Sequence, residues 1–184
     1  SGTGAAQTYT PAANYSGPDS FTFKANDGLA DSNVATVTIL VNAVNDVPVA
    51  NDQTVTTAED TSVNITLTAS DVDGDALTYE VVTPPQHGTL QGGGSALTYK
   101  PAANFFGTDT FTFKANDGQV DSNLATVTIQ VSAVNDAPVA ANQTITTTSG
   151  QPVNITLGAT DVEGSPLAYT VVAAPQHGTL TGSG

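Results

Sequence analysis

Apolar and polar residues alternate along most of this chain. In Phe21-Thr22-Phe23-Lys24-Ala25 the apolar side chains share one face, with Thr22 and Lys24 on the other. The same period of two runs through Ala35, Val37, Ile39 and Val41, through Val63, Ile65, Leu67 and Ala69, and through Ala125, Val127, Ile129 and Val131. Such a period belongs to a strand with one buried and one wet face. Thr on the outward positions suits that wet face. No window carries a 3.6-residue stripe with helix caps, so the pattern predicts an all-β protein. Turn formers punctuate the runs at Asp73-Gly74, Pro84-Pro85, Gly92-Gly93-Gly94, Phe106-Gly107 and Asp117-Gly118. For residues 46–135 this places seven strands near 52–58, 61–69, 77–83, 88–91, 96–100, 109–116 and 123–133. Seven short strands at this spacing favour a Greek-key sandwich of two aligned sheets over the alternative, a barrel.

The pattern also repeats. Ala43-Val44-Asn45-Asp46-Val47-Pro48-Val49-Ala50 returns as Ala133-Val134-Asn135-Asp136-Ala137-Pro138-Val139-Ala140, an offset of 136 − 46 = 90 residues. Phe21–Gly28 returns as Phe111–Gly118, and Pro85–Leu90 as Pro175–Leu180, at the same offset. A fixed period of this kind marks tandem modules, here of immunoglobulin-domain size. Residues 46–135 make one whole module, 1–45 the last strands of a module before it, and 136–184 the first strands of a module after it. Under this period Ser1–Gly4, Gln91–Gly94 and Thr181–Gly184 are one Gly-rich hairpin loop. Half-sandwiches are expected to leave Phe21 and Phe23, or Val153, Ile155 and Leu157, uncovered. One way to cover them is head-to-tail completion by a neighbouring copy, which would build a fibre. The other is continuation of the array in a longer protein, and the absence of an initiator Met or a basic-then-apolar leader suits that.

Charge narrows the function. The 184 residues carry 17 acids against 3 basic residues (Lys24, Lys100 and Lys114), a formal net charge of −14. Nucleic-acid binding requires cations that displace phosphate counterions, and anionic membranes repel such a chain. No apolar run approaches the roughly 18–20 residues of a membrane-spanning helix. Cys is 0, which removes disulfides, thiol nucleophiles and thiolate metal sites. His87 and His177 occupy equivalent Pro-Gln-His-Gly turns and read as turn residues. No Ser/His/Asp order recurs as a triad would require, and no pair of carboxylates is set across a cleft as in glycosidases. A non-enzymatic role is expected. Lys24 and Lys114 alternate outward, against a buried isopeptide crosslink. Tyr9, Tyr79 and Tyr99 read as packing residues rather than a sugar platform, in a chain with 6% aromatics and no Trp.

The acids cluster. Asp71-Val72-Asp73-Gly74-Asp75 follows the second strand, Asp117 follows the sixth, and Asp46 lies at the joint. In a sandwich these fall at one end, gathering Asn45, Asp46, Asp71, Asp73 and Asp117 into an oxygen-rich group. Calcium takes about 6–8 oxygens from carboxylates, amides and carbonyls. An EF-hand is excluded, because Gly74 precedes the third Asp and Val82 stands where that loop needs Glu. The plainer reading is that Asp-Gly pairs are ordinary turn formers.

The central module resembles cadherin domains, and more closely the bacterial cadherin-like (immunoglobulin-like) tandem repeats of large secreted surface adhesins. Ala69-Ser70-Asp71-Val72-Asp73 is similar to the Ala-x-Asp-x-Asp element, Ala115-Asn116-Asp117-Gly118 to Ala-x-Asp-x-Gly, and Asn45-Asp46-Val47-Pro48 to the interdomain linker. The resemblance implies calcium at each joint and a rod that serves adhesion or extension. Glu59 matches the family's first-strand glutamate, which implies a role at the far joint beside Asp136. In the third copy the implied ligands are Asp161 and Glu163, with Asp27 of an adjoining chain or module standing in for the sixth-strand acid. Departures at Ala43 and near Asn104-Phe105-Phe106 imply one or two ions per joint, bound at ~10⁻⁴–10⁻³ M as in extracellular modules. The function so implied is a secreted spacer, adhesive repeat or matrix fibre at a cell surface. The alternative is a module that binds a surface polysaccharide or protein partner.

Overall fold

The computed structural model describes residues 4–182, and all its regular structure is strand. In chain order the strands are β1 (Gly17–Phe23), β2 (Ala35–Val41), β3 (Val49–Ala50), β4 (Gln53–Ala58), β5 (Val63–Thr66), β6 (Ala69–Ser70) and β7 (Thr78–Thr83). They continue with β8 (Gly88–Gly93), β9 (Ala96–Pro101), β10 (Gly107–Asn116), β11 (Ala125–Ser132), β12 (Val139–Ala140) and β13 (Ala159–Thr160).

Between residues 46 and 135 these form a complete sandwich. One sheet runs β4-β11-β10-β7 and the other β5-β9-β8, with the short β3-β6 pair at the joint end. β4 lies parallel on β11, and the remaining pairings are antiparallel. The two sheets are separate, each with free edges, so the module is a sandwich and the barrel alternative falls away. Its core takes Ile65, Leu67, Leu97 and Tyr99 from one side and Phe111, Phe113, Val127, Ile129 and Val131 from the other. All but Leu67 of these lie in strands, and they are the inward positions of the alternation.

The expected second strand, 61–69, is divided. β5 pairs with β9, whereas β6 pairs with β3. Between them the Leu67 amide donates to Ser95 O and Thr68 O accepts from the Asn51 amide, at 2.8 and 3.0 Å. The chain leaves one partner and joins another there.

Flanking segments with nearly the same sequence fold differently. β1 and β2 reproduce the β10–β11 hairpin register, Phe21 opposite Val37 as Phe111 is opposite Val127. β12 and β13 likewise reproduce the β3–β6 pair. Residues 143–148 and 153–156, the counterparts of β4 and β5, form no strand. The rule is simple. A strand forms where its hydrogen-bonding partner lies in the same part-module and fails where the partner lies in the missing part, because a lone strand leaves its donors and acceptors to water. β1 stops at Phe23, where β10 would go on to Asn116 by pairing with β7.

Candidate metal centres at the module joints

Both joints are built from a linker amide held by an acid of the following module. At the first, the Asp46 amide donates to Asp73 Oδ2 at 2.7 Å. At the second, the Asp136 amide donates to Glu163 Oε2 at 3.0 Å. The offset of 90 therefore carries over into geometry, with Glu163 in the role of Asp73.

At the second joint three carboxylates converge. Glu59 follows the end of β4 and is buried; its Oε1 accepts the Val134 amide. One ligand atom each from Glu59, Asp136 and Glu163 lie within 4.8 Å of one another. Glu59 Oε2, Asp136 Oδ2 and Glu163 Oε1 are buried without a hydrogen-bond partner. Buried carboxylate oxygens without donors are strongly unfavourable, and a bound cation would relieve that cost in a cluster of three such residues. The donors, all carboxylate, have the hard-oxygen character that calcium takes. Asp161, two residues before Glu163 in the chain, accepts the Ser165 amide on its Oδ1 at 2.8 Å, as a turn former does.

At the first joint the structure gathers a different subset. Asn45 Nδ2 donates to Asp117 Oδ2 at 2.8 Å, and Gln119 Nε2 donates to Asn45 Oδ1 at 2.6 Å. The Asn45 amide, followed by the backbone amides of Val120 and Gln119, holds Asp117 below the ordinary carboxylate range. Asp71 Oδ1 accepts the amides of Asp73 and Asp75, which closes the turn around Gly74 at φ +79°. Its Oδ2 is buried and unpartnered. Asp71, Asp73 and Asp75 offer oxygens within 4.8 Å of one another. Asp75 is a member that the sequence reading left out, although it stands in the same Asp-x-Asp-x-Asp run. Asp27 lies in a loop of its own, its Oδ1 accepting the Leu29 and Ala30 amides. Those amides hold its pKa low.

A second carboxylate was missed as a structural element. Asp109 is buried; its Oδ1 accepts the Gln86 and Thr110 amides and its Oδ2 the His87 amide and the Tyr99 hydroxyl. Burial alone would raise Asp109, and these four donors outweigh it and hold the carboxyl low. Burial first, and Asp109 second, push the Tyr99 hydroxyl up. The signal was available, since Asp109 stands in phase with Phe111, Phe113 and Ala115 and so points inward. The His87 ring stacks on Phe105 at 4.4 Å and 6°. Lys114 Nζ meets Asp121 and Glu80 at the surface, 2.8 and 3.2 Å away.

Comparison with known proteins settles the family. The profile described as bacterial Ig domain matches residues 1–40, 45–130 and 135–184. The chain belongs to the bacterial Ig domain family. Among curated relatives, integrin beta-like protein E of Dictyostelium discoideum is 31% identical over 186 residues, 89% of this chain and 10% of that protein. Integrin beta-like protein A of the same organism is 34% identical over 137 residues, 65% of this chain and 7% of that protein. The Ig-domain chain thus spans a tenth or less of the length of these relatives. Among solved structures, human CDH23 EC21-23 aligns at 18% identity and TM-score 0.49, covering 88% of this chain and 62% of that one. Among the described residues of this bacterial Ig domain chain, no helix is long and apolar enough to cross a membrane.

Proposed function

We propose that this chain is a stretch of an extracellular rod, a non-catalytic spacer or adhesive repeat whose Ig modules are stiffened by calcium at their joints. The observation that carries the reading is the cluster of Glu59, Asp136 and Glu163, each of which also has one buried carboxylate oxygen without a donor. One of these residues belongs to the complete module, one to the linker and one to the module that follows. A cation held by all three ties two bodies through their connection. Without it the three carboxylates repel one another and the joint bends. With it they close on one charge and the joint sets straight. Asp71, Asp73 and Asp75 would supply the corresponding group at the first joint, with Asn45, Asp46 and Asp117 around them. A net charge of −14, which self-repulsion would otherwise make unfavourable, fits a protein that works with bound cations. The integrin-like names of its relatives support an adhesive setting at a cell surface or in a matrix.

The test is a thermal melt of the chain in calcium and in excess chelator. A ligand that binds only the folded state adds about 1.4 kcal/mol at ten times its dissociation constant. For a module of this size that raises the midpoint by roughly 6–11 °C. Glu59→Gln is expected to remove most of the second joint's share and reduce the calcium stoichiometry. Identical melts with and without calcium would end the proposal.

A further inference from the structure

We propose that Asp73-Gly74 is a site of self-modification, at which Asp73 converts to isoaspartate, so that the first joint ages while the second does not. The chain holds three Asp-Gly pairs, Asp27-Gly28, Asp73-Gly74 and Asp117-Gly118. In such a pair the glycine amide is free to attack the aspartate side chain, because no Cβ shields the nitrogen. All three glycines have positive φ, +95°, +79° and +97°, and open space where a Cβ would stand. Access does not distinguish them. Hydrogen bonding does. The Gly28 and Gly118 amides donate to Asn26 Oδ1 and Asn116 Oδ1, each at 2.7 Å. The carboxylates beside them are pinned as well. Asp27 Oδ1 accepts the Leu29 and Ala30 amides, and Asp117 Oδ1 those of Gln119 and Val120. At the third pair Val72 stands where the other two have Asn, and it offers no acceptor in its side chain. Within the described residues the Gly74 amide donates no hydrogen bond, and the Asp73 carboxylate accepts only the Asp46 amide.

The step needs no second reactant but water. The Gly74 nitrogen bonds to Asp73 Cγ of the neutral acid and loses its proton, and the acid's hydroxyl leaves with that proton as water. This closes a succinimide. Water then reopens the ring at either carbonyl. Opening at the main-chain carbonyl leaves the backbone running through Cγ, one methylene longer, with a carboxylate on a shorter stem. That carboxylate no longer stands where it accepts the Asp46 amide. The oxygens that Asp71, Asp73 and Asp75 bring together are then drawn apart. At the second joint Glu163-Gly164 holds the same place, with Glu163 Oε2 accepting the Asp136 amide. Glu163 carries one methylene more and would have to close the larger glutarimide ring, which forms far more slowly. The Gly164 amide is also engaged, donating to Asp161 O at 3.3 Å. A single Asp-for-Glu difference thus sets the chemical lifetimes of two equivalent joints apart. That the change loosens a calcium-stiffened joint rests on the function proposed above; the isomerisation itself does not.

The experiment is ageing of the whole chain in warm neutral buffer, in chelator and again in calcium. Isoaspartate is counted by labelling with protein L-isoaspartyl methyltransferase and located by electron-transfer fragmentation. In chelator, isoaspartate at Asp73 is expected to exceed that at Asp27 and at Asp117 at least about fivefold. That is the factor in rate imposed by one hydrogen bond of about 1 kcal/mol that must break before the amide attacks. Asp73→Glu, which copies the second joint, is expected to keep the melt of the fresh chain in chelator and to lose the label at that position. Little isoaspartate at Asp73, equal amounts at the three pairs, or undiminished label in Asp73→Glu would each overturn the proposal. In calcium, formation at Asp73 is expected to slow while that at Asp27 stays the same. Equal rates at Asp73 with and without calcium would remove calcium from this joint and leave the isomerisation standing.

Discussion

Phe113 and Phe23 occupy the same place in the same octapeptide, yet Phe113 is 0% exposed and Phe23 50%. Their hairpins match residue for residue in register. The difference is the opposing sheet, which the complete module has and the leading part-module lacks. A hairpin is therefore local information, and a core is not. The pairs separated by 90 residues form a built-in set of controls, each position tested once packed and once bare.

The largest contrast is expected for Phe113→Ala against Phe23→Ala, measured by urea melts. The first loses about 3–5 kcal/mol, as for a fully packed aromatic; the second stays within about 0.5 kcal/mol, as for an exposed site. Equal effects would mean that the leading hairpin is packed after all. Next comes Asp109→Asn, which turns an amide nitrogen toward donors that need an acceptor. It is expected to lose about 2–3 kcal/mol at neutral pH, while Asp19→Asn loses little. Hydrogen bonding holds Asp109 below its unfolded value, so its contribution is complete above about pH 4 and drains away as pH falls through the folded value. An acid titration of stability should therefore be shallower in Asp109→Asn than in the wild type.

Smaller still is the glycine pair. A Cβ on Gly88 would lie 2.5 Å from Tyr99 Cζ, whereas one on Gly178 meets nothing within 4 Å. Gly88→Ala is expected to cost about 1–3 kcal/mol through overpacking, and Gly178→Ala less than about 0.5 kcal/mol, read from melting midpoints.

The joints teach the same lesson in another chemistry. Asp71-Val72-Asp73-Gly74-Asp75 was legible as a cluster because its members adjoin in sequence. Glu59, Asp136 and Glu163 are separated by 77 and 27 residues, 136 − 59 and 163 − 136, and their grouping became visible in sequence only through the family resemblance. Asp109 went unread because its partners, the amides of Gln86 and His87 and the Tyr99 hydroxyl, come from a turn and a strand that pattern alone does not bring together.

The sequence by itself determined the strand class, the repeat of 90 and the residues that face inward, because alternation and turn chemistry act over a few neighbours. The tertiary structure decided where the second strand breaks, which repeated strands form at all, and which carboxylate oxygens are buried without a donor. Those outcomes depend on partners distant in the chain, and a strand or a buried charge is stable only when its partner is present.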